Sequence, residues 1–187
     1  MKKLAVVLVA LLLFGCSAAG VMSTNDPKRK LSNAMQLLNN NRPIPAQRLI
    51  LQTMTHYQKS NDEVGIAHAH KAYGQFYMSK AYHANKEYFQ KYNEYDGTYE
   101  KAVISYKKSL DLFTKNKEYF EASNSAWNLA GSYQYQKNKP QACEAFDLSL
   151  TLHKKGKKLF PNKTTSLPPG FTSMDDVVST FKKNYGC

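Results

Sequence analysis

One recurring interval constrains this chain more than its composition does. From Ala130 an aromatic follows three positions on (Tyr133), a second small residue twelve on (Ala142) and Phe146 sixteen on; Ala34, Leu37, Ala46 and Ile50 repeat the same three steps. Over 118–133, Ala122, Ala126, Leu129, Ala130 and Tyr133 keep the three-and-four spacing of one helical face. After the polar break Lys137-Asn138-Lys139, Pro140 opens a second run through Ala142, Ala145, Phe146, Ser149, Leu150 and Leu152. Its locked φ and missing N–H suit a helix start. The stretch therefore predicts two helices of about four turns each, joined by a tight turn. Small residues at fixed points let the two backbones approach, and the large ones fill the space beside them.

From Ala46 to Gly74 is 28 positions and from Ala102 to Ala130 is also 28, so with 12 inside a pair the period is 12 + 28 = 40. That register pairs Tyr57 with Phe113, Asp62 with Glu118, Tyr73 with Leu129, Gly74 with Ala130 and Tyr77 with Tyr133. The middle pair departs from it: Gly74 to Ala102 is 28 where 12 is expected, so 28 − 12 = 16 residues are inserted. Over residues 30–156 the pattern resembles the tetratricopeptide repeat (TPR), a helix-turn-helix unit that stacks into a solenoid. The resemblance implies an all-α fold, a TPR-like α-solenoid of three helix pairs over 28–156 with an insertion at about 79–97 and a C-terminal capping helix. It also implies a groove lined by the first helix of each pair, where partner segments bind. At matching positions the groove residues are Leu31, Met35 and Leu38, then Lys71, Gln75 and Met78, then Trp127, Gly131 and Gln134. The competing place for Trp127 is the core.

Met1-Lys2-Lys3 is followed by an apolar run over 4–14. Eleven residues are too few to span a bilayer, which takes roughly 20, so 1–15 reads as a signal peptide. The end of the run, Leu13-Phe14-Gly15-Cys16, resembles the lipobox of bacterial lipoproteins. That resemblance implies a lipid attached at Cys16 and, with Ser17 where an aspartate would favour the inner membrane, an outer-membrane anchor facing the periplasm. Residues 16–27 then form a flexible, lipidated tether. The chain has 26 Lys+Arg against 14 Asp+Glu, a net +12; loss of Lys2 and Lys3 leaves 24 − 14 = +10. Behind a signal peptide no nucleic-acid partner is expected. The available counter-charges are anionic lipid headgroups, acidic cell-wall polymers or an acidic protein face.

No helix breaker lies between Met78 and Asp96-Gly97, so the insertion predicts one continuous helix over about 62–95. Tyr88, Tyr92, Tyr95 and Tyr99 would form a stripe on it, covered by the chain itself or serving as an interface. Residues 157–187 read as a linker and the capping helix, with Ser173 and Asp176 spaced as a capping box and Met174, Val177, Val178 and Phe181 as its apolar face. With Cys16 assigned to lipid, Cys143 and Cys187 remain. An oxidising compartment favours a disulfide between them, closing a loop of about 45 residues; the alternative is a buried Cys143 and a free Cys187.

His68 and His70 project about 200° apart on a helix and cannot share a metal. The sequence has no Gly-rich phosphate loop, no His-Glu-x-x-His and no Gly-x-Ser-x-Gly. No enzymatic activity, cofactor or metal is expected. The expected function is a lipid-anchored periplasmic scaffold that holds another envelope protein in a groove built by Lys71, Gln75, Met78, Trp127 and Gln134. Envelope assembly, secretion or pilus biogenesis are the settings the resemblance implies. The alternative is a basic structural lipoprotein that grips cell-wall polymer or the membrane surface.

Overall fold

The structure, a computed structural model, describes residues 21–187. The leader, Cys16 and residues 17–20 of the tether lie outside the described residues. Within them the regular elements are helices: α1 (Pro27–Asn39), α2 (Pro43–Lys59), α3 (Glu63–Met78), α4 (Lys80–Ala84), α5 (Lys86–Lys91), α6 (Glu100–Lys115), α7 (Tyr119–Tyr135), α8 (Lys139–Leu159) and α9 (Met174–Tyr185). Helix α1 packs on α2, α3 on α6 and α7 on α8, while α2/α3 and α6/α7 join these pairs into one body. Helix α9 lies on α8, and α4 sits against both α1 and α3.

The residues that define the interval are interior. Ala34, Ala46, Ala102, Ala130 and Ala142 are fully buried, and Leu37, Ile50, Tyr133 and Phe146 are buried beside them. Gly74 is also buried, for a steric reason. A Cβ built on it would lie 2.6 Å from the Tyr106 ring of α6, so only glycine lets that ring reach the α3 backbone. Where helices come this close, the remaining small residues are serines whose hydroxyls pair. Ser109 and Ser125 Oγ atoms are 2.9 Å apart; Ser123 Oγ donates to the Ser149 carbonyl at 2.8 Å, and Ser149 Oγ to that of Ser123 at 2.9 Å.

Four of the turns between helices have one form. Asn41, Asn61, Lys117 and Lys137 stand in the left-handed region, at φ of 55, 52, 60 and 58°. The next amide, of Arg42, Asp62, Glu118 or Asn138, donates back to the carbonyl of Leu37, Tyr57, Phe113 or Tyr133 at 2.8 to 3.0 Å. This is the six-to-one bond of a Schellman cap. Each acceptor residue is a large buried side chain.

The insertion is not the continuous helix that the sequence predicts. Ser79 turns extended (φ −71°, ψ 143°); its Oγ donates to the Phe76 carbonyl at 2.7 Å and accepts from the Tyr82 amide at 3.1 Å, ending α3 and capping α4. Asn85 stops α4 through its Nδ2, which donates to the Ala81 carbonyl at 2.8 Å. Folding back buries Tyr82 and Phe89 completely, whereas a straight helix would carry both into water. Their rings meet Phe76 at 5.0 and 5.7 Å, and the Tyr82 hydroxyl donates to the Glu94 carbonyl at 2.9 Å.

The tyrosine stripe is broken by the same fold. Tyr95 stacks on Tyr82 at 5.4 Å, and Tyr99, at φ 62°, has its ring 4.9 Å from both His83 and Tyr135. Only Tyr88 and Tyr92 stay exposed, 5.0 Å from each other.

Cys143 and Cys187, 44 positions apart in the sequence, are joined, with Cα atoms 5.7 Å apart. The bridge ties the end of α9 to α8. Lys182 Nζ adds contacts of 2.6 Å to both carboxylate oxygens of Asp147, and Lys154 pairs with Asp175 at 2.5 Å.

Two outcomes follow for stability. Gly74→Ala is expected to lower unfolding free energy by about 1–3 kcal/mol, because the buried Tyr106 ring has no room to yield; an unchanged urea midpoint would rule the contact out as limiting. Replacing Cys143 and Cys187 together by Ser is expected to cost on the order of 4 kcal/mol on the chain-entropy account of a 44-residue separation, read in the same assay without reductant.

Candidate functional site: a cleft beneath the C-terminal strap

Helix α7 presents Phe120, Asn124 and Trp127, four and three residues apart and therefore on one face, to a cleft of about 450 Å³. Lys71 reaches it from α3 and His153 from α8. The roof is residues 163–168, a stretch without regular structure, together with Met174 and Val177 of α9. The strap is held down by cations: Lys163 Nζ lies 5.0 Å from the centre of the Phe120 ring, and Lys157 Nζ donates to the Lys163 carbonyl at 2.8 Å.

Lys71 and Glu121 set the electrostatics of the floor. Their Nζ···Oε2 distance is 2.5 Å, and the Lys71 ammonium also lies 5.7 Å from the Phe113 ring centre. Burial opposes ionisation of Glu121, but the charge of Lys71 and its hydrogen bond more than offset that, so the carboxyl titrates below the ordinary glutamate value. At His153 burial comes first and the nearby Lys157 adds to it; both lower the imidazole below its usual range. The ring is uncharged at neutral pH and stands edge-on to Phe120 at 5.5 Å. The cleft thus combines two aromatic walls, a fixed ion pair and the amide and hydroxyl groups of Asn124, Thr164 and Thr165.

The structure brings together only two of the five groove residues expected from the sequence, Lys71 and Trp127. Gln75 is half-buried outside the cleft, and Met78 packs against the larger apolar cluster. Gln134 lies in the last turn of α7, away from the lining. Leu38 is buried, and Leu31 and Met35 are packed on the cluster that α4 and α5 complete. Nor is Trp127 free: its ring meets Phe146 of α8 at 5.0 Å and Phe181 of α9 at 4.9 Å, both edge-on. Helix α9 covers part of the expected groove, with Phe181 on Trp127, and packing on α8 buries Val177 and Val178. Sequence reasoning missed Phe120 and Asn124, although their spacing from Trp127 could have placed them on its face of the helix; Lys163 and Thr164 sit in a segment without period.

Among the described residues no group of His, Cys, Asp and Glu is placed to hold a metal ion, and no helix is long and apolar enough to cross a membrane. Comparison of the chain with protein-family models, curated proteins and solved structures gave no match.

Glu121→Gln is expected to lower stability at neutral pH by no more than about 1 kcal/mol, since the half-buried Glu121 side chain still keeps 37% of its exposure and is screened. The sign is fixed by linkage. A depressed carboxyl stabilises the fold above the unfolded glutamate pKa and loses that contribution as pH falls through the folded one. The gap between parent and variant should therefore close on acidification, in thermal melts taken from pH 7 downwards; a constant gap would mean that the pair contributes nothing through charge.

Proposed function

We propose that this protein is a lipid-anchored scaffold of the bacterial envelope, tethered to the outer membrane through Cys16, that holds a segment of a partner protein in the cleft beneath its C-terminal strap. The body is read as a TPR-like solenoid of three helix pairs: α1/α2, α3/α6 and α7/α8, with α9 as its cap. The observation that carries this reading is the burial of the small residues Ala34, Ala46, Gly74, Ala102, Ala130 and Ala142 at the interval that defines the repeat.

A scaffold needs a recess with apolar anchors and a few directional polar groups. Phe120 and Trp127 serve as the anchors, and Asn124 with the strap hydroxyls supplies the polar groups. Nothing in this role calls for catalysis. The partner is another envelope protein, and the setting is envelope assembly or the biogenesis of a secreted structure.

Asn124 allows a test that spares the core, because it is exposed and bonds only within α7, to Asn128. Asn124→Trp should fill the cleft and weaken partner capture from solubilised envelope by tenfold or more, about 1.4 kcal/mol, with an unchanged melting midpoint. Capture that survives the substitution would remove the cleft from the reading. Capture that instead fades steeply with salt in parent and variant alike would favour a basic structural lipoprotein bound to acidic polymer. Cys16→Ala should release the protein from the membrane fraction, and continued partitioning would remove the anchor.

A further inference from the structure

Helix α3 has a second working face. His70, Tyr73 and Tyr77, three and then four residues apart, floor another cleft of about 420 Å³, walled by α2 on one side and α6 on the other. Tyr73 and Tyr77 are stacked, with ring centres 6.1 Å apart and planes inclined by 19°. The lips are aliphatic and open to water: Leu51 of α2 is 55% exposed and Ile104 of α6 is 44% exposed. Of the ten large hydrophobic side chains exposed among the described residues, these two flank one cleft, above the stacked tyrosines. Such a patch marks a surface that is covered in the working state.

Charge decides what covers it. The cleft has two ammonium groups, Lys101 and Lys108, and one carboxylate, Glu94, which accepts from the neutral Gln47 Nε2 at 3.0 Å and keeps its charge, so the lining carries 2 − 1 = +1. Lys101 Nζ lies 5.7 Å from the centre of the Tyr77 ring and donates to the Glu94 carbonyl oxygen at 2.6 Å. Lys108 belongs to none of the four ion pairs among the described residues. Its field adds to burial in lowering the pKa of His70. The site is therefore a trough with aliphatic lips, a tyrosine floor and a net excess of positive charge on its α6 rim, at Lys101 and Lys108. Shape narrows the choice further. The lining residues follow helical spacing on each side, 47 and 51 on α2 and 101, 104 and 108 on α6; ridges so placed receive another helix.

We propose that this cleft binds an acidic amphipathic helix of a partner protein, its apolar side chains on Tyr73 and Tyr77 between Leu51 and Ile104 and its carboxylates against Lys108. A basic helix would be repelled by Lys101 and Lys108. The site lies on a different face of α3 from Lys71 and is independent of the cleft beneath the strap.

The test uses the full chain in its native envelope, with a benzophenone-bearing residue at Leu51, at Ile104 or, as a control, at exposed Gln141. Illumination should cross-link the first two positions, and not the third, to one peptide that mass spectrometry shows to be acidic with apolar residues at helical spacing. Lys108→Glu should lower the yield at position 51 at least tenfold and Lys108→Arg should retain it, both with parental melting curves. Asn124→Trp should leave the yield unchanged, so failure here is distinct from failure of the first cleft. Cross-linking to lipid, to glycan, to a second copy of this chain or to a segment without net negative charge overturns the proposal. Absence of cross-links, or a Lys108→Glu yield equal to that of the parent, overturns it as well.

Discussion

The bond from the amide beyond the ends of α1, α2, α6 and α7 back to a core residue's carbonyl is what the rest of the structure hangs on. The left-handed residue that makes it possible costs about 1–2 kcal/mol when it is not glycine. Here the position is taken by Asn41, Asn61, Lys117 and Lys137. The cost is offset locally, since orphan carbonyls at the helix end gain a donor. It is offset again through packing, since the acceptors Leu37, Tyr57, Phe113 and Tyr133 are buried side chains, each contributing about 1.5–3 kcal/mol. Reversal of the chain and filling of the core are one event at each corner. The insertion uses the same device: Asn93 is left-handed at φ 55°, and the Glu94 amide donates to the carbonyl of buried Phe89 at 2.8 Å.

Between the corners, helix separation is set by unequal partners. The Tyr106 ring lies over Gly74 and the Tyr57 ring over Gly65, where an added Cβ would come within 2.2 Å of the ring. A residue with no side chain opposite one with a large one keeps the packing dense while the backbones approach. Serines play the same part where α7 meets α6 and α8. An unpaired hydroxyl at such a depth would cost about 1–3 kcal/mol. Ser123 and Ser149 avoid that by each donating to the other's carbonyl, which also fixes the two helices along their axes.

These two rules explain which parts of the fold were legible. The interval of three, twelve and sixteen could be read because size at contact points is a property of single residues: Ala130 and Ala142 have to be small, and Tyr133 and Phe146 large. The breaks at Ser79 and Asn85 could not. Neither residue is a strong helix breaker, and each stops a helix by bonding to a carbonyl three or four residues back, which becomes worthwhile only once Tyr82 and Phe89 have a core to enter. The tyrosine stripe failed for the same reason, because it assumed an unbroken helix. At the candidate site, Lys71 and Trp127 were found from the register. Gln75, Met78 and Gln134 were not brought to the cleft, because register fixes a helix face but not where an aperiodic strap will cross it. Nor did the register show that Phe181 would come to lie on Trp127.

The excess of lysine has a structural counterpart. Among the described residues Lys71, Lys115, Lys154 and Lys182 pair with carboxylates; Lys71 also lies over an aromatic ring, and so do Lys91, Lys101, Lys107, Lys155 and Lys163, which belong to no ion pair there. A ring orders the alkyl stem and attracts the ammonium, but it does not cancel the charge. Aromatic residues on this surface therefore hold positive charge in place without neutralising it. Both clefts have such a lysine at the edge, Lys163 over Phe120 in one and Lys101 over Tyr77 in the other. Each cleft therefore sets an aromatic wall and a fixed cation side by side.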